Sequence, residues 1–215
     1  MITIKDLKVS FTKEYDALHD VNLTINNGEK IAIVGDSDSG KTTLLRTIAK
    51  LQNYSGGEIL INNQLLNKVN FKQDVSLGYI PKVPVFKNKK TVSENLRYVL
   101  KIRGYDEASM SFKVLTALKM FNIDSFKNIP VENLNYYQKM LVQLARVSMR
   151  KVDIVLIDNI TKNAIGEDKK KILEGIKTLM ELNPDSTFII TTDSEKIAKE
   201  LQLKVVKLKL GTITD

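Results

Sequence analysis

Apolar and polar residues alternate over three segments in the first part of the chain, at residues 2–5, 7–11 and 21–25. A period of two is typical of strands with one buried face, so these segments predict a small antiparallel layer. Residues 58–63 follow two consecutive glycines and predict a further hairpin strand of the same kind.

Three other segments are short and mostly apolar, at residues 30–34, 152–158 and 187–192. Runs of this kind are typical of parallel strands with both faces buried. Residues 43–50 carry apolar positions at helical spacing, and the pattern over about residues 91–148 is mostly helical. Strands and helices in this order predict an α/β fold with a layered sheet, a small antiparallel β subdomain and a helical insert.

The segment between the first apolar strand and the first helix matches the phosphate-binding pattern G-x-x-x-x-G-K-[ST]. Its residues are Gly35, Asp36, Ser37, Asp38, Ser39, Gly40, Lys41 and Thr42, and Thr43 follows them in the helix. Glycines let the backbone wrap around a polyphosphate, so that N–H groups and a helix N-terminus face the anion. We expect Lys41 to reach the outer phosphates and the Thr42 hydroxyl to contact Mg2+. Nucleotide binding is therefore the leading prediction.

A second group for the metal is Asp158, the last residue of its apolar strand. Ligands of open α/β sheets bind at this edge, where a carboxylate orients Mg2+ through water. The guanine-specific pattern N-K-x-D is absent, because Asn88, Lys89 and Lys90 are followed by Thr91. The sequence therefore favours adenine as the base.

Length and composition set limits on the organisation of the protein. A chain of 215 residues with 43% hydrophobic residues is expected to form a single globular unit, with one core or a core and a subdomain. No cysteine and a single histidine, His19, exclude disulfides and histidine or thiolate metal clusters, and favour the cytoplasm. We also find no transmembrane run and no signal peptide, so any membrane role is expected to act through a partner.

The formal net charge of +8 is carried by lysines that are dispersed along the chain. They lack the interleaved aromatic residues that stack on bases. The charge therefore favours a solvated surface over a nucleic-acid groove.

Short motifs also occur in a fixed order along nearly the whole chain. They are residues 28–30, 56–59, 77–81 and 91–96, then Leu134 with Gln138, and finally the strand that ends at Asp158. Through these motifs and their spacing, the chain resembles the ATP-binding subunits of ABC transporters. The resemblance implies one ABC-type ATP-binding domain over residues 1–215. In it, about 1–30 and 55–75 form the antiparallel layer, about 91–148 the helical insert, and the remainder the phosphate-loop core.

The resemblance also implies ligands and partners. The ligands are ATP and Mg2+, and the partners are a membrane-spanning transporter subunit and a second ATP-binding subunit, paired head to tail with this chain or a similar one. The protein is then expected on the cytoplasmic side of the membrane. In the family manner an aromatic residue stacks on adenine, and we favour Tyr15 over Phe11, which could instead belong to the strand core.

Several positions depart from the family pattern. Where the family has LSGGQ, this chain has Leu134, Asn135, Tyr136, Tyr137 and Gln138. In the family this segment caps the γ-phosphate bound by the other subunit, using a serine hydroxyl and glycine N–H groups. Two tyrosines prevent the close backbone approach that glycines allow, so we expect a poor phosphate cap.

The catalytic positions differ as well. Asn159 replaces the glutamate that activates water, Thr192 replaces the switch histidine, and Lys82 replaces a metal-contacting glutamine. An amide has no basicity at neutral pH, and a hydroxyl lacks the protonation chemistry of a histidine. Lys82 could repel Mg2+ or pair with the γ-phosphate. The aspartate loop is also altered and contains Lys162.

Inside the phosphate loop, Asp38 stands where a small residue is usual. Aspartate tolerates a left-handed backbone, so the loop can still form. Its charge and that of Asp36 would oppose a polyphosphate unless both carboxylates point to solvent.

These changes remove interactions made mainly in the transition state, whereas Lys41, Thr42 and Asp158 would hold the ground-state nucleotide. The chain is therefore expected to bind MgATP with slow or absent hydrolysis. Two alternatives remain open: an active ATPase that energises transport, and a soluble nucleic-acid or ribosome-associated member of the same superfamily.

Overall fold

A computed structural model describes residues 1–12 and 15–214 of the chain. These residues form two units. The first contains the described residues of Met1–Tyr79, Val152–Lys162 and Asp185–Asp215, and the second contains Ile80–Lys151 and Asn163–Pro184. None of the described helices is both long enough and apolar enough to cross a membrane.

The strands in chain order are β1 (Ile2–Ser10), β2 (Asp16–Ile25), β3 (Lys30–Val34), β4 (Gly56–Ile61), β5 (Gln64–Leu65), β6 (Leu77–Ile80), β7 (Ile154–Asp158), β8 (Thr187–Thr192), β9 (Lys204–Lys209) and β10 (Thr212–Thr214). The α-helices are α1 (Lys41–Ile48), α2 (Val92–Lys101), α3 (Glu107–Met120), α4 (Tyr136–Ser148), α5 (Gly166–Leu182) and α6 (Glu195–Glu200). Short 3-10 helices cover Leu66–Lys68, Asp124–Phe126 and Val131–Asn133.

The first unit contains a four-stranded sheet with the order β2-β1-β4-β5, in which β1 runs antiparallel to both of its neighbours. Ile2 and Ile4 are buried at even positions, but Leu7 and Val9 are buried at odd ones. A register shift between Ile4 and Leu7, with Asp6 at φ 46°, moves the pattern by one residue. The irregularity therefore keeps all four side chains in one core.

Gly57 lies in β4, opposite this irregularity of β1. It has φ 78°, and an added Cβ would clash with the carbonyl oxygens of Lys5 and Asp6. A glycine is required there because only glycine combines this φ with so close an approach of two backbones.

The core sheet has six strands in the order β10-β9-β3-β8-β7-β6. β3 pairs in parallel with β8 and β9, and β7 pairs in parallel with β8. Every residue of β7 and β8 is buried, as expected for strands covered on both faces. The α/β class with an additional antiparallel sheet is therefore confirmed.

Three strands of this sheet, β6, β9 and β10, were not identified as strands from the sequence. β9 contains three exposed lysines among less exposed apolar residues, and β10 is three residues long. Its lysines, Lys204, Lys207 and Lys209 in β9, belong to the dispersed positive charge that favours a solvated surface. β9 nevertheless pairs with β3, the strand that leads into the phosphate loop.

The second unit is mainly helical. α2, α3 and α4 lie within the range of the expected insert, and α5, which lies outside that range, belongs to the same unit. α4 packs on α5, where a Cβ on Gly175 would lie 2.9 Å from side-chain atoms of Leu141 and Leu144. The absence of a side chain at Gly175 therefore permits close helix packing. The assignment of residues 1–215 to one domain stays a prediction.

Candidate nucleotide site

The phosphate loop connects β3 to α1 at the carboxyl end of the core sheet. The N–H of Gly35 donates to the carbonyl oxygen of Thr192 at 3.2 Å, which ties the loop to the end of β8. A Cβ on Gly35 would clash with the carbonyl oxygen of Leu208. Gly40 has φ 99°, and its Cβ would lie 2.7 Å from the carbonyl oxygen of Ala17. Both glycines of the motif are therefore required by the backbone.

α1 begins directly after Gly40 without a hydrogen bond from a capping side chain, and its first turn contains no acidic residue. The first N–H groups of a helix have no partner inside the helix and attract anions. The start of α1 therefore suits a phosphate group.

Lys41 is only 6% exposed, and its ammonium group is folded back into the loop. Nζ donates to the carbonyl oxygens of Gly35 at 2.6 Å and Asp36 at 2.5 Å, and to Ser39 Oγ at 3.1 Å. Burial lowers the pKa of Lys41, although the negative charge of Asp193 opposes this effect. The loop thus already holds a cation where the sequence predicts an anion to bind.

The two carboxylate residues of the loop are exposed. Asp38 has φ 62°, the left-handed conformation that aspartate tolerates, and Asp36 and Ser37 beside it are exposed too. Exposure lets water screen both carboxylates, which reduces their repulsion of a bound anion.

Asp158 is 2% exposed and receives hydrogen bonds from three hydroxyl groups. Thr42 Oγ1 and Thr191 Oγ1 each donate to Asp158 Oδ1 at 3.0 Å. The Tyr79 hydroxyl also hydrogen-bonds to Asp158, and burial together with this negative charge raises the pKa of Tyr79. The predicted pair of metal groups, Thr42 and Asp158, is therefore brought together.

Thr191 and Tyr79 were not identified from the sequence as parts of this site. Thr191 pairs with Asp158 in the parallel register of β7 and β8, so an explicit pairing of the two apolar runs could have placed it there. Tyr79 belongs to one of the motifs that carry the resemblance, but that motif indicated no contact for its side chain.

The oxygen groups around Asp158 fit Mg2+ better than a metal held entirely by the protein. Among the described residues, no group of three or more histidine, cysteine, aspartate or glutamate side chains could hold a metal ion. Mg2+ commonly binds through one or two carboxylates, several waters and the phosphates of its substrate. One carboxylate and one hydroxyl are therefore sufficient if the metal arrives with a nucleotide.

Asn159 follows Asp158 and is 7% exposed, with φ 44°. Its N–H donates to the carbonyl oxygen of Thr191 at 3.1 Å. Its side-chain Oδ1 is buried and has no hydrogen-bond partner. Thr192 is also buried, and its Oγ1 accepts a hydrogen bond from the N–H of Ser194 at 3.2 Å.

The altered LSGGQ segment lies in the second unit, at the start of α4. Asn135 and Gln138 form a capping box, in which each side chain accepts a hydrogen bond from the backbone N–H of the other at 3.0 Å. The Tyr136 hydroxyl donates to the carbonyl oxygen of Lys82 at 3.2 Å, and Lys171 Nζ lies 5.0 Å from the centroid of the Tyr137 ring. Both tyrosines and Lys82 therefore take part in contacts within this unit.

The two candidate adenine-stacking residues lie beside each other. Tyr15 is 52% exposed and Phe11 is 54% exposed, and their rings stack with centroids 6.4 Å apart. The alternative that Phe11 belongs to the strand core is wrong, because its ring lies outside β1 and in solvent. Stacking of Tyr15 on adenine stays a prediction.

Comparison with known proteins identifies the family. The family model described as ABC transporter matches residues 18–162. The methionine import ATP-binding protein MetN of Clostridioides difficile is 30% identical over 219 residues, which cover 100% of this chain and 68% of MetN. The glycerol-3-phosphate import ATP-binding protein UgpC of Bartonella bacilliformis is 31% identical, over 99% of this chain and 62% of UgpC. Other curated relatives are longer still, and the chain spans as little as 34% of one of them.

The solved structures agree with this assignment. A dimeric, post-hydrolysis structure of the ATP-binding cassette MJ0796 with ADP and Pi has a TM-score of 0.85 and 26% identity, over 100% of this chain and 97% of that one. A second dimeric structure of MJ0796, described as a bacterial ABC transporter cassette, has a TM-score of 0.86. With its phosphate loop, its Asp158 edge and these relatives, the chain belongs to the ABC transporter family, as an ATP-binding domain.

Proposed function

We propose that this chain is the ATP-binding subunit of an ABC transporter-like complex, and that it binds MgATP but hydrolyses it slowly or not at all. The buried amide of Asn159, whose Oδ1 has no hydrogen-bond partner, is the observation that carries the second half of this proposal. It occupies the position after Asp158, where the resemblance implies a glutamate that activates water.

Binding of MgATP is supported by the phosphate loop and the groups around it. The uncapped start of α1 and the Lys41 ammonium group provide positive charge for the phosphates. Thr42 Oγ1 and Asp158 Oδ1 lie 3.0 Å apart and provide hard oxygen ligands for Mg2+. These contacts are made with the ground-state nucleotide, so they give affinity without requiring turnover.

Slow hydrolysis is supported by the chemistry at Asn159 and Thr192. An amide does not accept a proton at neutral pH, and the loss of a general base typically reduces a rate by about 10² to 10⁴. Thr192 Oγ1 already accepts a hydrogen bond from Ser194, and a hydroxyl lacks the reach of an imidazole.

The start of α4 supports the same conclusion. A phosphate cap requires free N–H groups at a helix N-terminus, but the side chains of Asn135 and Gln138 occupy two of them. Tyr136 and Tyr137 replace glycines and are held by their own contacts. This segment is therefore proposed as a protein contact surface and a poor cap for phosphate.

The proposed partners follow from the family. MetN and UgpC are named as import ATP-binding proteins, and MJ0796 was solved as a dimer. By analogy, we propose that this chain binds a membrane-spanning subunit and pairs head to tail with itself or a similar ATP-binding subunit. It would then lie on the cytoplasmic side of a membrane, held there by its partner. Tyr15 is proposed to stack on the adenine.

Nucleotide binding and turnover test this proposal. Isothermal titration is expected to show Mg2+-dependent binding of ATP to the wild-type chain, and none to Lys41→Ala, because that variant loses the buried ammonium group. Phosphate release is expected to stay near the uncatalysed background. A rate of about 1 s⁻¹ or more would contradict slow hydrolysis and favour the active ATPase. ATP binding by a folded Lys41→Ala variant would contradict the site.

A further inference from the structure

Lys162 brings a second ammonium group to the phosphate loop. It comes four residues after Asp158, in the segment that replaces the aspartate loop of the family. Its Nζ donates to Ser37 Oγ at 2.6 Å and lies 3.8 Å from Asp193 Oδ2. All three residues belong to the first unit, and the site described above assigns no role to this cation.

We propose that Lys162 binds the terminal phosphate of the nucleoside triphosphate held by its own chain, and thereby makes the site favour ATP over ADP. This inference rests on the proposed function, because it requires that the phosphate loop binds ATP.

The present partners of Lys162 are weak enough to be exchanged for a phosphate. The Lys162 and Asp193 side chains are about one third exposed, and ion pairs that contact water contribute little free energy. Ser37 is exposed and offers only a neutral hydroxyl. A phosphate oxygen is a stronger acceptor than a hydroxyl for an ammonium group, because the donor and the acceptor are then both charged and attract each other.

The position of Lys162 points to the outer end of the polyphosphate. Thr42 and Asp158 would hold Mg2+ together with the outer phosphates of the nucleotide, so they mark the metal side of the site. Lys162 emerges from the same edge of the sheet, immediately after β7. Lys41 Nζ donates to the carbonyl oxygen of Asp36 and Lys162 Nζ donates to Ser37 Oγ, so the two ammonium groups bind adjacent residues of the loop.

Lys162 offsets part of the negative charge of the phosphate loop. Asp36 and Asp38 add two negative charges to a loop that must bind an anion. The terminal phosphate brings charge that ADP lacks, so a cation near that phosphate stabilises ATP selectively. The neighbouring position where a catalytic glutamate is expected holds the neutral Asn159, which does not compete with a phosphate for the charge of Lys162.

Affinities for a diphosphate and a triphosphate test this role without measuring activity. Titrations would use ADP and the β,γ-imido analogue of ATP, which is not hydrolysed, both with Mg2+. In Lys162→Ala the analogue is expected to bind about tenfold more weakly, whereas ADP is expected to change by less than about threefold. Lys162→Arg keeps the charge and is expected to retain most of the preference. Lys72→Ala removes an equal charge from an exposed site of the same unit and is the matched control.

Each other result overturns the inference in a recognisable way. Equal losses for ADP and the analogue would show that Lys162 only positions the loop through Ser37. Unchanged affinities in Lys162→Ala would show that it does not touch the phosphate. If the wild-type chain binds neither nucleotide, the proposed function fails as well, which separates that failure from an error about Lys162 alone.

Discussion

Asp158 and Asn159 are adjacent in the sequence and both buried, but the hydrogen bonding of their side-chain oxygens differs. The carboxylate of Asp158 accepts hydrogen bonds from Thr42 and Thr191, whereas Asn159 Oδ1 has no partner. An unpaired buried polar atom costs about 1–3 kcal/mol, so such atoms are rare and call for an explanation. A site shaped for the nucleotide provides one, because a water molecule bound beside the phosphates would supply the donor that Oδ1 lacks.

At this scale, restoring a carboxylate tests how much of the catalytic loss comes from one residue. Asn159→Glu is expected to raise the single-turnover rate of phosphate release by less than about tenfold, even though a general base can contribute 10² to 10⁴. Thr192 and the Tyr136–Tyr137 segment remain unchanged in this variant. A second buried carboxylate beside Asp158 is also expected to lower the free energy of unfolding, measured with urea.

Asn159→Gln is the matched control, because it has the size of glutamate without its charge, and its rate is expected to equal that of the wild type. A rise of 100-fold or more in Asn159→Glu would show that the other departures from the family are catalytically neutral.

At the scale of elements, two helices begin in different ways. α1 starts after Gly40 with no side-chain cap, so its first N–H groups are available to a phosphate. α4 starts with the capping box of Asn135 and Gln138, so its N-terminus is occupied by its own side chains. The same backbone feature therefore serves ligand binding in one helix and helix stability in the other.

The cap of α4 can be tested by its contribution to stability. Asn135→Ala removes the side chain that accepts from Gln138 N, and is expected to lower the free energy of unfolding by about 1 kcal/mol. Asn135→Ser keeps an oxygen at the same position and is expected to stay within about 0.5 kcal/mol of the wild type. Urea unfolding of the three proteins gives both differences. Equal stability of Asn135→Ala and the wild type would contradict the capping role.

At the scale of the whole molecule, parallel pairing brings the phosphate loop, Asp158 and Thr192 to one edge. β3, β8 and β7 are neighbours, so their carboxyl ends lie together. This arrangement couples nucleotide binding to the stability of the core sheet. A ligand that binds only the folded state stabilises it by about 2.7 kcal/mol at 100 times its dissociation constant.

This coupling predicts that MgATP stabilises the folded chain and that the stabilisation persists during incubation. Thermal unfolding of the wild-type chain in MgATP is expected to shift to higher temperature and to keep that shift during hours of prior incubation, because ATP is not consumed. Lys41→Ala is expected to show no shift. A shift that decays to the value seen with MgADP would indicate turnover and contradict the proposed slow hydrolysis.

The elements differ in how well the sequence predicts them. Mostly apolar runs identified β3, β7 and β8, because strands buried on both faces carry few polar residues. β9 was not recognised because half of its residues are exposed lysines, and its pairing with β3 is a long-range contact. The sequence did not decide whether the Phe11 side chain lies in the core or at the surface, because a strand pattern does not show where the strand ends.

The sequence by itself determined the phosphate loop, its lysine and its metal-side threonine, because the backbone needs glycines and the ligand needs those groups at fixed local spacing. It also determined Asp158 and the amide beside it. Only the tertiary structure decided that Thr191 and Tyr79 donate to Asp158, that Asn159 Oδ1 has no partner, and that Lys162 reaches Ser37. These contacts join residues far apart in the chain, and the parallel register and backbone path that create them are set by the packing of the whole core sheet.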